Sequence, residues 1–301
     1  MMAWPFLVHE RAGFLRIKKD MMSLKHPVYL CFFLAFSLSA CQGGEPEAPP
    51  VEPHQENWAV FLRKGESGPS IITIDLGWKG VAPLQYHNKL LVVTVLAEDE
   101  QNAGFPDEEE VRVANRLQDQ LIRSLEKSGQ GIFVGSSTSF GQKNFFFYLT
   151  DSRHSEKIAR QVLVSFDSRK TNIEVRGDFR WAAYFNVLYP SEKELDEIRN
   201  ERVLSSLQDA GDPLQEPRSI EHWLRFPSIE QGSHFMKEAQ EDGFKYLEMD
   251  TQAGGERPYV FHITRKDSIH IPYIHELTWG LREKAEKYDG VYDGWETVVA
   301  R

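Results

Sequence analysis

Cysteine is nearly absent. The 301-residue chain has two, Cys31 and Cys41, both close to its start. Beyond them there is no disulfide, no Cys–zinc site and no thiol nucleophile, so the core must hold without staples, which a chain of this length can do. Concentrated positive charge is also lacking: 45 acidic residues stand against 35 Lys and Arg, a formal net charge of −10. No basic cluster is long enough to track a phosphate backbone, which argues against direct nucleic-acid binding and against a polybasic membrane contact. An acidic surface attracts a basic protein partner, although plain solvation explains most such surfaces. The apolar stretch from Val28 to Ala40 falls short of the about 20 residues that a helix needs to span a bilayer.

That stretch has the length of a signal-peptide core instead. Lys25, with Lys18 and Lys19 upstream, supplies positive flanks, and Leu38-Ser39-Ala40-Cys41 closes it. The four residues resemble a lipobox, where a bacterial signal peptide is cut and Cys41 receives lipid. Small Ser39 and Ala40 give a peptidase a narrow extended segment. The expectation is a leader over 1–41, with Met21 or Met22 as alternative starts. Cutting before Cys41 strips five basic and two acidic residues, taking the net charge from −10 to −13. By resemblance to Gram-negative lipoproteins, Gln42 in place of Asp implies outer-membrane sorting.

Residues 42–56 read as a tether. Pro46, Pro49, Pro50 and Pro53 alternate with Glu45, Glu47 and Glu52, a composition that favours extended polyproline geometry and a reach of roughly 40 Å. A first globular region follows over 57–190. Alternating Trp58, Val60, Leu62 and Ile72, Ile74, Leu76 predict a hairpin. Leu90–Leu96 reads as a central strand, and Val111, Ala114, Leu117, Leu121, Ile122 and Leu125 recur at helical spacing. Strands over 132–136, 144–149 and 173–176 and a helix over 155–166 complete a β-α-β-β-α-β order. Ser191 and Glu194 form a capping-box pattern that opens a linker helix over 191–217, ended by Gly211, Pro213 and Pro217. The same β-α-β-β-α-β order recurs over 218–301. The predicted fold class is α+β: two tandem ferredoxin-like domains, each with helices on one face of an antiparallel sheet.

Catalytic patterns fail at identifiable residues. His275-Glu276-Leu277-Thr278-Trp279 begins like a zinc-protease helix, but Trp279 stands where the second ligand belongs. Gly135-Ser136-Ser137-Thr138-Ser139 lacks the second glycine of a nucleophile elbow and reads as a turn between strands. Asp107-Glu108-Glu109-Glu110 reads as charge at a helix start. His222 and His262 sit mid-strand and could line a site with Asp293, yet satisfied histidines are commoner. No metal, cofactor or catalytic residue is expected.

Two stretches carry family resemblances. Ile220-Glu221-His222-Trp223-Leu224-Arg225-Phe226-Pro227 and Tyr288-Asp289-Gly290-Val291-Tyr292-Asp293-Gly294-Trp295-Glu296-Thr297 resemble the regulator of ribonuclease E activity B family. Gly104-Phe105-Pro106, Phe145-Phe146-Phe147-Tyr148 and Trp181, Tyr184 and Tyr189-Pro190 are similar to the domain of unknown function 695 family. The first resemblance implies a ferredoxin-like fold and non-catalytic binding of ribonuclease E in the cytoplasm, a partner that a lipoprotein beyond the inner membrane does not meet. Trp295 reads either as a core anchor or as an exposed binding aromatic. Strand alternation puts Asp293, Trp295 and Thr297 on one face with Val291 and Val299, which weighs toward the core. Asp293 and Glu296 are then the binding candidates, with His222. The leading expectation is a membrane-anchored, non-enzymatic module for an unidentified, basic protein partner. The alternatives are a cytoplasmic ribonuclease E regulator and an envelope hydrolase or ligand-binding protein.

Overall fold

The computed structural model describes residues 54–300, except 66–67, 97–107, 129–130, 140, 167–168 and 253. The lipobox, Cys41, the tether up to Pro53, Asp107 and Gly104-Phe105-Pro106 lie outside the described residues.

The first domain opens with the hairpin β1 (Trp58–Gly65) and β2 (Gly68–Asp75). Then come β3 (Lys89–Leu96), α1 (Glu108–Lys127), β4 (Gly131–Ser139), β5 (Gln142–Leu149), α2 (Ser152–Val164) and β6 (Thr171–Gly177). All pairings are antiparallel in the order β1-β2-β4-β5-β3-β6. The last four strands of that order are a split βαβ sheet, which the hairpin extends beside β4.

One face packs on the helices. Ala114, Leu117, Leu121 and Leu125 of α1 meet Leu91, Val93, Phe133, Phe145 and Phe147. The opposite face is covered as well, because β5 is apolar on both sides and Phe145 through Leu149 are all buried. Phe146 and Tyr148 pack there with Trp78, Trp181, Tyr184 and Leu188. Trp181 (φ 53°) stacks on Tyr148 at 3.9 Å and donates its indole N–H to the His87 carbonyl at 2.7 Å. The Asp178 carboxylate accepts from the Tyr148 hydroxyl at 2.7 Å and from the Ala182 and Ala183 amides. A π-helix, Ala183–Leu188, completes this lid.

Gly135–Ser139 lies within β4, which corrects the expected turn. The pairing of β4 with β5 slips between Phe133 and Gly135, and Gly135 has φ 156°. A Cβ there would sit 2.3 Å from the Thr73 carbonyl oxygen. The glycine serves a bulge and a close approach to β2, not a nucleophile.

The second domain comprises β7 (Arg218–Phe226), α4 (Ile229–Glu241), β8 (Lys245–Thr251), β9 (Tyr259–Asp267), α5 (Ile271–Glu286) and β10 (Val291–Thr297). Its order, β10-β7-β9-β8, repeats β6-β3-β5-β4 of the first domain. The Ser228 side chain caps α4 through the Gln231 amide, and proline stands in the first turn of α5.

Helix α3 (Glu192–Asp209) joins the domains, with both halves of the Ser191/Glu194 capping box formed. It is no loose connector: Ile198 is buried in the first domain's core, and Leu204 and Leu207 are buried in the second's.

Candidate functional site

Strict alternation along β7 sorts the second sheet into two unlike faces. Ile220, His222, Leu224 and Phe226 are buried beneath helices, joined by Phe261 and Ile263 of β9 and Tyr292 and Trp295 of β10. The opposite face carries Glu221, Trp223 and Arg225, and among the described residues none of the three hydrophobic cores covers it. The two sheets differ in this respect: the first is covered on both sides and the second on one.

Trp223 sits at the centre of the uncovered face. Its register partners are His262 on β9 and Gly294 on β10. The Trp223 and His262 rings stack with centroids 4.4 Å apart and planes inclined by 17°. His262 Nε2 lies 2.8 Å from a Glu221 oxygen, and Nδ1 lies 3.6 Å from Glu248. Arg225 pairs with Asp293 at 2.8 Å and donates to the Gln252 amide oxygen at 2.6 Å. Glu296 stands directly across from Glu221.

The predicted arrangement of β10 needs correction. Its pairing with β7 slips between Tyr292 and Gly294, leaving Asp293 as the extra residue, with Gly294 at φ 141°. This bulge breaks the period of two. The second core residue of the strand is Tyr292, not Val291, and Asp293 is exposed rather than sharing the face of Trp295. Glu296 is also exposed.

Trp295 is buried and donates its indole N–H to Asn200 on α3 at 2.7 Å. Asn200 donates to the Thr278 hydroxyl at 2.7 Å, and that hydroxyl donates to Asp196 at 2.6 Å. Arg282 closes the chain on Asp196 at 2.9 Å. These groups tie α3, α5 and β10 together, and buried polar atoms of this kind demand such partners.

His222 is fully buried. Its Nδ1 lies 2.8 Å from the Tyr292 hydroxyl, while Nε2 has no partner among the described residues. Burial lowers its pKa to about 3, so the ring is neutral at ordinary pH. His222 and His262 project from opposite faces of the sheet, so the considered grouping of His222, His262 and Asp293 is not assembled. Among the described residues, no group of three or more His, Cys, Asp or Glu is placed to hold a metal ion.

A His–Asp pair that sequence reading missed lies in the first domain. Asp75, buried at the end of β2, accepts from His54 Nε2 at 2.6 Å and from the Asn57 and Gly77 amides. His54 stacks on Trp78 at 3.5 Å. The cleft beside it is lined by His54, Gln55, Glu56, Asn57, Gly77 and Val81, and so among the described residues offers no hydroxyl or thiol nucleophile. The pair ties the segment before β1 to the turn after β2.

Comparison with known proteins adds the following. No curated protein matches the chain. A solved structure described as an unknown protein from Galdieria sulphuraria is similar at 11% identity over 70% of this chain and 99% of that one, with a TM-score of 0.20. Residues 56–189 match the model of a family of unknown function, DUF695, and residues 197–297 match that of the regulator of ribonuclease activity B.

Proposed function

We propose that this chain is a non-catalytic binding module, anchored to the bacterial envelope by lipid on Cys41, that presents the uncovered face of its second sheet to a basic protein partner. One observation carries the binding role: the first sheet has a hydrophobic core on each face, whereas among the described residues none lies over the face of the second sheet that carries the Trp223–His262 stack and its flanking carboxylates. The match of residues 197–297 to a regulator family supports a role exerted through protein contact. The lipobox and tether support an anchored position in the outer membrane facing the periplasm.

A photo-crosslinking residue at Lys245, exposed on β8 of this face, is compared with one at Arg123, exposed on α1. Capture of a basic protein from Lys245 alone supports the reading; equal capture from both sites, or none, defeats it. Anchoring has its own measurement, labelling with a palmitate analogue, which Cys41→Ser should abolish. The family match also favours a second reading, a regulator of ribonuclease activity held in the cytoplasm. Unlabelled, unprocessed protein in the soluble fraction would select it.

A further inference from the structure

We infer that the second sheet has a slot for an arginine side chain of the partner, above Gly294 and against the face of Trp223 turned away from His262. This deepens the proposed binding role and rests on it.

The geometry follows from the stack. Trp223 and His262 are cross-strand neighbours whose rings lie 4.4 Å apart and nearly parallel. Both ring planes therefore stand across the direction that runs from strand to strand. His262 covers one face of the indole, so the other is turned toward β10. There the register partner is Gly294, and a Cβ built on it meets nothing within 4 Å. Neighbouring strands lie about 4.8 Å apart, so the place above Gly294 is the next rung of the ladder, and Gly294 itself puts no side chain there.

Charge says what fits the rung. Glu296 and Glu221 face each other directly across β10 and β7 on one flank of the slot, and on the other Asp293 is already paired with this chain's own Arg225. Like charges directly opposite in an antiparallel pair are unfavourable, and a cation between them relieves the repulsion. A flat guanidinium stacks on an indole face and reaches carboxylates with a fork of N–H donors, which a lysine ammonium does not match. The occupant chosen by this surface is thus an arginine on a basic protein segment.

The probe is a decapeptide of alternating serine and arginine, titrated into the full chain while the tryptophan indole N–H resonances are followed by NMR. The lysine and citrulline versions serve as comparisons. The Trp223 resonance, identified by its loss in Trp223→Leu, should move with the arginine peptide. Binding should be at least threefold weaker for lysine and lost for citrulline. Glu296→Gln should weaken the arginine peptide about threefold and flatten its salt dependence; Trp223→Leu should weaken it at least fivefold. Should Trp223→Leu not fold, Glu296→Gln and Glu221→Gln decide alone. Equal binding of citrulline, movement confined to other tryptophans, or variants that bind like the wild type would overturn the slot. So would a single-stranded RNA that displaces the peptide from Trp223. If Lys245 captures a partner while the peptide leaves Trp223 unmoved, the binding role stands and the slot falls. If the peptide moves Trp223 and nothing is captured, the slot stands alone.

Discussion

A neutral histidine sealed among apolar groups makes the second domain sensitive to acid. The folded pKa of His222 is about 3, below the ordinary value of 6.5. The neutral form is favoured by the fold, so this contribution to stability is complete above about pH 6.5 and is lost as the pH falls toward 3. The slope is at most about 1.4 kcal/mol per pH unit. Urea unfolding at pH 7, 5.5 and 4.5 should show a steeper loss in the wild type than in His222→Phe; parallel losses would show that His222 does not take up the proton. His87, held near pKa 4 by burial, adds the same dependence in the first domain, in both proteins alike. At Trp295 the prediction concerns packing. Trp295→Ala should cost about 3–5 kcal/mol, and Trp295→Phe should cost less, by stranding the Asn200 amide oxygen, about 1–3 kcal/mol. Thermal melting checks both, and an unchanged melt for Trp295→Ala would contradict its burial at 8% exposure.

Among the elements, α3 decides how far the second domain extends. Because Leu204, Leu207 and Asn200 serve it, a fragment 191–301 should unfold at a higher denaturant concentration than 218–301. Equal midpoints would show the helix to be a mere connector. Ser191→Ala, which removes the cap of α3, should cost about 1 kcal/mol. The order of elements was legible because hydrophobic period and caps are local: Ala114, Leu117, Leu121 and Leu125 declare α1, and Ser228 with Gln231 declares the start of α4. The bulges were not. Alternation assigned Asp293 and Trp295 to one face because nothing in a strand's own period reveals an extra residue, although Gly294 was the available sign. The same alternation along Ile220–Phe226 places Trp223 outward between Glu221 and Arg225. Its stacking partner, 39 residues away on another strand, depends on register.

For the molecule as a whole, the contrast between a sheet buried on both faces and a sheet buried on one underlies the proposed division, in which the second domain makes the contact. Runs such as Phe145–Leu149 demand cover on both sides, and the Trp181 lid supplies it. Which segment supplies that cover was not legible, since the lid comes from scattered residues that meet only in the fold. Replacing Asp293 and Glu296 together by their amides should leave the melting temperature nearly unchanged, since both are exposed. It should weaken capture of a basic partner, most at low salt, where charge chiefly sets the association rate. A deficit that persists undiminished at 0.5 M salt would show that these carboxylates do not act through charge.

The helix shared by the two cores also sets an order in time. A chain emerges from its N-terminus, and domains generally fold as units in that order. Closure of the first domain around Ile198 during synthesis would let the same helix present Leu204 and Leu207 before β7 to β10 have emerged. The second domain then condenses onto a surface that is already in place, so less chain entropy remains to be lost in its slowest step. A full chain refolding from denaturant has no such vectorial order, but the shared helix still predicts that Ile198→Ala, which touches only the first core, should slow folding of the second domain.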